Sequence, residues 1–145
     1  MLSRDFKEFV ALLNSNGVEY LVVGGYAMAL HGRPRHTGDL DIWIRRNPEN
    51  AQRLMVALRE FGFGDVGLAQ QDFELRENVV QLGDPPFRID LLTDIDGVEF
   101  DAAWPNRETT IHDGLPIHFV GLSDLKANKR ASGRPRDIDD LEQLP

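Results

Sequence analysis

The sequence has no cysteine, which excludes a disulfide framework, a thiolate metal site and cysteine catalysis together. It has no apolar run near the ~20 residues that a membrane-spanning helix needs. Its charged opening, MLSRDFKEF, does not read as a secretory signal, so a cytoplasmic protein without membrane partners is expected. Internal repeats, low-complexity tracts and linker-like stretches are also lacking. The 145 residues therefore read as one domain, 1–145, around a single core. Positive charge is scarce as well. A formal net charge of −8 argues against a protein that holds nucleic acid mainly by coating phosphates with Lys and Arg.

What is present is an ordinary globular balance, 41% hydrophobic and 28% charged, which argues against intrinsic disorder. The charge is uneven along the chain. Eleven acids lie between Glu60 and Asp101 against only Arg76 and Arg88, whereas Lys126, Lys129, Arg130, Arg134 and Arg136 form a stretch without an acid. An acidic middle beside a basic tail suits a site for divalent cations and a polyphosphate; a solvated surface of uneven charge would look the same.

Ser3 is placed to cap a helix in which Phe6, Phe9, Val10 and Leu13 recur at helical spacing up to Gly17. Residues 19–23 (EYLVV) read as a buried strand running into Gly24-Gly25, and YAMALH as a short helix that stops at Gly32. After the loop GRPRHTG, the run DLDIWIR alternates as a half-buried strand does, with Leu40, Ile42 and Ile44 on one face and Asp39, Asp41 and Trp43 on the other. Asn47-Pro48 starts a helix with Leu54, Met55 and Leu58 as its buried stripe. Segments 73–82 and 87–92 predict a hairpin across GDPP, and TTIHDGLPIHFV a second one turning at Asp113-Gly114. Ser123 is the predicted cap of the helix LKANKRA, and IDDLEQL closes the chain as another helix. Residues 98–110 carry no readable period.

Three Asp-x-Asp pairs occur, and they differ in context. Residues two apart on a strand point the same way, so Asp39 and Asp41 set two carboxylates side by side. Such a pair repels itself unless a cation neutralises it, and hard oxygen ligands are what Mg²⁺ accepts. Asp94/Asp96 precedes Gly97 and reads as turn chemistry. Asp137/Asp139 opens a helix, where acids favour the N-terminal dipole. Upstream of the first pair, the strand, Gly24-Gly25 and the following helix start form a natural phosphate cradle. In FRIDLL, Asp90 leaves its strand on the face of Arg88, and an acid so flanked by Ile89, Leu91 and Leu92 needs either a cation or an internal ion pair, Arg88 and Arg35 being the available partners. Three convergent carboxylates beneath a phosphate cradle are the parts of a two-metal phosphoryl or nucleotidyl transfer site.

GGYAMALHGRPRHTGDLDIWI, with Asp90 downstream, resembles the Gly-Gly/Ser, Asp-x-Asp, Asp signature of the polymerase-β-like nucleotidyltransferase superfamily. The basic close LKANKRASGRPRDIDDLEQL is similar to that of small minimal nucleotidyltransferases related to AbiEii-type toxins of bacterial toxin–antitoxin systems. The resemblance implies an α+β nucleotidyltransferase fold, a mixed sheet with helices packed on its outer face. It implies metal-dependent transfer of NMP from an NTP, with two Mg²⁺ ions, or Mn²⁺ in their place, and release of pyrophosphate. By the same resemblance Gly24 and Gly25 are the phosphate-binding glycines, Asp39 and Asp41 the acids shared by both metals, and Asp90 the acid that holds the catalytic metal and helps activate the acceptor hydroxyl. Arg35 and Thr37 match the Arg-x-Thr before the acidic pair and stand as nucleotide-binding residues. Two positions depart from the pattern: Gly25 where many relatives have Ser, and Gly38 where relatives often carry a long polar side chain.

Helical spacing sets Lys126, Lys129 and Arg130 on one face, where they either meet triphosphate charge or lie in solvent. Relatives place a nucleotide-binding Lys at the start of this helix, so Lys126, with Lys129, is the expected nucleotide contact. His31, His36, His112 and His118 lack ligand spacing and read as surface or capping residues, and Trp43 as packing. The expected acceptor is RNA, foremost a tRNA 3′ end, with a protein hydroxyl next and an antitoxin protein as partner. Two other functions stand beside it: a module that binds nucleotide or partner without turnover, and a small-molecule adenylyltransferase, whose relatives usually carry an added helical domain.

Overall fold

The computed structural model describes residues 2–32, 38–64 and 67–145. Ser3 accepts a hydrogen bond from the Phe6 amide and opens α1 (Arg4–Ser15), which buries Phe6, Phe9, Val10 and Leu13 as one stripe. The four buried residues of β1 (Tyr20–Val23) lead directly into α2 (Gly24–His31). β2 (Leu40–Ile44) is followed by α3 (Pro48–Phe61), whose Asn47 cap accepts from the Asn50 amide. Asn50 is itself buried: its side chain accepts from the Glu19 amide and donates to the Glu19 and Arg45 carbonyls, tying the start of α3 to the ends of both strands.

Beyond α3 come a 3₁₀ turn (Gln70–Phe73), β3 (Val79–Leu82) and β4 (Ile89–Leu92). The chain continues through α4 (Phe100–Ala103), a second 3₁₀ turn (Trp104–Asn106), β5 (Glu108–His112) and β6 (Leu115–Phe119), and ends with α5 (Leu122–Ser132) and α6 (Pro135–Glu142). The six strands form one mixed sheet in the order β3-β4-β2-β1-β6-β5. β2 and β4 are parallel, as are β1 and β6, and the other three pairs are antiparallel.

Register decides which residues share a face. Val22 lies opposite Ile42 and Tyr20 opposite Ile44, and the Tyr20 hydroxyl reaches the Asn14 side chain of α1 at 2.9 Å. This face, with Leu40, Ile89 and Leu91, packs under α1 and α3, and the core continues on the other face through Leu21, Val23 and Trp43. The opposite face carries Leu21, Val23, Asp41, Trp43 and Asp90. Trp43 is buried edge-on against Phe100 at 5.0 Å, a packing residue as expected although it shares the face of Asp41. Among the described residues no helix is long and apolar enough to cross a membrane.

Three local expectations differ from the structure, and one stretch left unread takes form. Only 79–82 of the segment 73–82 is strand, because Asp72 turns back to bond the Ala69 amide and closes a 3₁₀ turn. The unreadable stretch 98–110 is α4 and a 3₁₀ turn before β5, elements too short to show a period. The cap of α5 is Gly121 and not Ser123. A Cβ on Gly121 would stand 2.4 Å from the Asn106 carbonyl oxygen, so close backbone packing starts that helix before the serine. Gly24 and Gly25 lie within α2, not ahead of it. The Asp113-Gly114 turn is as expected, both residues having positive φ (52° and 79°), as a type I′ hairpin requires.

Candidate active site

The parallel pairing of β2 with β4 sets Asp41 directly opposite Asp90. Asp39, two residues before Asp41, points to the same side. Three carboxylates, two on neighbouring strands and one just before β2, thus converge at one end of the face that α1 and α3 do not cover. Asp90 is buried, and Asp39 and Asp41 are partly exposed. Burial pushes the Asp41 carboxyl up to about 7, and the negative charges of Asp90 and Asp39 and a hydrogen bond with Asp90 push in the same direction.

The guanidinium of Arg88 answers part of this charge. Its Nε donates to Asp90 Oδ1 at 2.8 Å, and Nη2 donates to Asp90 Oδ2 and Asp39 Oδ2, each at 3.1 Å. Among the described residues no three acidic or imidazole groups stand ready-made around one point as a metal cage, two of the three acids being drawn onto Arg88. The donor set still fits a hard divalent cation: three crowded carboxylates, of which Asp41 has its proton affinity raised by burial and by the other two and lines an open cleft.

Gly24 forms the wall beside Asp41. It has φ +67°, and a Cβ there would fall 2.1 Å from Asp41 Oδ2 and 3.0 Å from Asp41 Cγ. Only the missing side chain lets the start of α2 lie against this carboxylate. Gly25 follows in the first turn of α2. A cleft of about 370 Å³ opens from here, lined by Gly24, Asp41 and Leu92 on one side and by Asn128, Lys129 and Arg134 on the other.

The two candidate lysines separate. Lys126 bonds the Pro145 carbonyl, while Lys129 lines the cleft from a buried position. The Lys129 ammonium lies 2.8 Å from Asp140 and 3.4 Å from Asp137. Arg134 bonds Asp137 at 2.7 Å, and this bond, more than any other interaction, holds the Asp137 carboxyl down at about 2. Lys129→Met removes the cation that two buried carboxylates face, and should cost about 3 kcal/mol in urea unfolding. A loss below about 1 kcal/mol would reduce this ion group to a surface-like pair.

Arg35 and Thr37 lie outside the described residues, as do Arg33 and His36. Asp137 stands in the first turn of α6 as its context predicts; the chain turns at Asp96-Gly97, but the carboxylates of Asp94 and Asp96 bond groups distant in sequence and line the same cleft, beyond the turn chemistry expected of them. Asp94 accepts from the Glu77 amide, Asp96 from the Ser132 hydroxyl, and Asp137 from the Arg134 amide at the start of α6. His31 donates to the Val120 carbonyl at 2.7 Å. Asn128, Ser132 and Arg134 were not singled out by sequence as cleft residues. The signal for Asn128 and Ser132 is their spacing with Lys129, which sets them on one side of α5, and that for Arg134 is its place in the basic stretch.

A family model described as nucleotidyltransferase of unknown function matches residues 2–144. The chain belongs to this DUF6036 nucleotidyltransferase family. The DUF6036 fold recurs in solved structures. A candidate nucleotidyltransferase of Thermotoga maritima superposes with a TM-score of 0.63 at 19% identity, over 96% of this chain and 89% of that one. An antigenic nucleotidyltransferase-like protein of Paracoccidioides brasiliensis gives 0.56 at 20% identity, over 98% and 76%. At such identities the likeness is one of fold, and it agrees with the expected mixed sheet. No curated protein shows significant similarity to this DUF6036 member.

Proposed function

We propose that this protein transfers NMP from an NTP to an acceptor hydroxyl, with Asp39, Asp41 and Asp90 as the ligands of two Mg²⁺ ions, Mn²⁺ being an alternative. The observation that carries the reading is the register of β2 against β4, which places Asp41 opposite Asp90 with Asp39 on the same side and Gly24 against it. When bound, the metals supply charge neutralisation for the triphosphate and acidify the attacking hydroxyl. The first-turn amides of α2 offer donors to phosphate, and Gly24 leaves room for them. Lys129 and Arg134, on the far wall of the cleft, supply positive charge where the triphosphate runs. Arg35, Thr37 and Lys126 are proposed as further phosphate contacts. The acceptor oxygen attacks the α-phosphorus and loses its proton to Asp90, and the bond to the bridging oxygen of pyrophosphate breaks.

Without a cation the three carboxylates repel a triphosphate. NTP affinity measured by calorimetry should therefore fall at least about tenfold in EDTA, or roughly 1.4 kcal/mol. Equal affinity with and without metal would remove the two-metal reading.

For the acceptor we propose RNA, most specifically a tRNA 3′ end, in the role of an AbiEii-type toxin restrained by an antitoxin protein. What supports this is the sequence resemblance and the basic stretch from Lys126 to Arg136. At a net charge of −8, recognition should be local and salt-sensitive over a few phosphates. Each labelled NTP, supplied with Mg²⁺ and total cellular lysate, tests the choice. Label in an RNase-sensitive band supports RNA; label in a protease-sensitive band moves the acceptor to a protein hydroxyl, and label in a small molecule excludes both.

A further inference from the structure

We infer that Arg88 is the resident counter-cation of the acid cluster, a positioning residue that holds Asp39 and Asp90 together and gives way when a divalent cation binds. The inference rests on the metal reading above. Arg88 stands two residues before Asp90, so its side chain leaves the chain on the same side and needs no detour to reach the cluster. Its planar fork takes both oxygens of Asp90, one through Nε and one through Nη2, and the same Nη2 also reaches Asp39 on the neighbouring strand. One guanidinium thereby links carboxylates from β4 and from the approach to β2, a geometry that a point charge on a flexible stem reproduces poorly.

A divalent cation sharing Asp39 and Asp90 would have to sit against these same oxygens. Cation and guanidinium cannot both remain there, because like charges at hydrogen-bonding separations repel strongly where solvent is partly excluded. The side chain of Arg88 is about a quarter exposed (27%), so it has a way out to solvent. Arg88 therefore competes with metal for the acids it keeps in place. The arrangement differs from the Lys129 group, which pairs with Asp137 and Asp140 of α6 and shares no carboxylate with the cluster.

The test is Mn²⁺ binding by calorimetry, with free Mn²⁺ followed by electron paramagnetic resonance, on the full chain and on Arg88→Met and Arg88→Lys. Arg88→Met should bind Mn²⁺ about tenfold more tightly than wild type, its metal-free Tm should drop, and Mn²⁺ should raise that Tm by more than it raises the wild type's. Arg88→Lys, which keeps a charge and loses the fork, should fall between the two. Equal or weaker Mn²⁺ binding by Arg88→Met overturns the inference and leaves the metal site standing. Absence of Mn²⁺ binding in the wild type, Arg88→Met and Arg88→Lys alike overturns the metal reading and this inference with it. Should Arg88→Met not fold, Arg88→Lys decides alone: affinity above wild type supports the competition, and affinity at or below it refutes it.

Discussion

Asp41→Asn should abolish nucleotidyl transfer and at the same time make the metal-free protein more stable at pH 8. The loss follows from the proposed reaction, in which Asp41 is a ligand to both cations; at least a thousandfold, roughly 4 kcal/mol of transition-state stabilisation, is expected. The gain follows from the elevated proton affinity of Asp41, about 7 in the fold against 3.8 for the free side chain. The folded state holds a proton there that the unfolded chain releases between about pH 4 and 7, so stability falls as pH rises through that window and stays lowered above it. The full shift corresponds to at most about 4 kcal/mol. Asparagine keeps the shape and a hydrogen bond toward Asp90 without the charge. The variant should therefore unfold at least about 4 °C above wild type at pH 8, and near it at pH 5, where Asp41 is already protonated. Thermal melts in EDTA at both values check this. An inactive variant that is also less stable at pH 8 would show that the carboxylate is structural, and an active one would move the metal site elsewhere.

How far this arrangement was legible in sequence varies with the physical origin of each part. The helices α1 and α3 carry their own signals, a Ser or Asn cap and an apolar stripe packed into the core, and β2 an alternation, while β1 shows as a short continuous apolar run because both its faces are buried. Asp39, Asp41 and Asp90 were legible because alternation on a strand fixes their side. Their meeting depends on which strand pairs with which. That β4 lies parallel to β2, with Asp90 level with Asp41, is a long-range choice that no local pattern states. The far wall of the cleft was less legible. α5 is a polar helix burying only Leu125 and Lys129, and the burial of Lys129 comes from α6, which brings Asp137 and Asp140 to it. Spacing alone put Lys126 and Lys129 on one face, and it is that docking, with the bond of Lys126 to the terminal Pro145 carbonyl, that separates them.

Gly24→Ala should cost more activity than stability, and comparison with Gly62→Ala should show why. Both glycines have positive φ, +67° and +102°, so an alanine at either is strained by about 1–2 kcal/mol. At Gly62, the αL cap of α3, nothing lies within 4 Å of the added methyl, and the backbone strain is the whole effect. At Gly24 the methyl would overlap Asp41 Oδ2 at 2.1 Å and press on Cγ and Cβ at 3.0 and 3.1 Å. The whole carboxyl group, not only its tip, must then rotate away. Rotation relieves the overlap cheaply in stability but carries an acid of the cluster about an ångström from its place, and a displacement of that size costs on the order of a hundredfold in rate. Urea unfolding should place the two variants within about 1 kcal/mol of each other. Transfer assays should leave Gly62→Ala near wild type and reduce Gly24→Ala at least about a hundredfold, with weakened Mn²⁺ binding. Equal activity in the two variants would mean that the contact between Gly24 and Asp41 is incidental to the site.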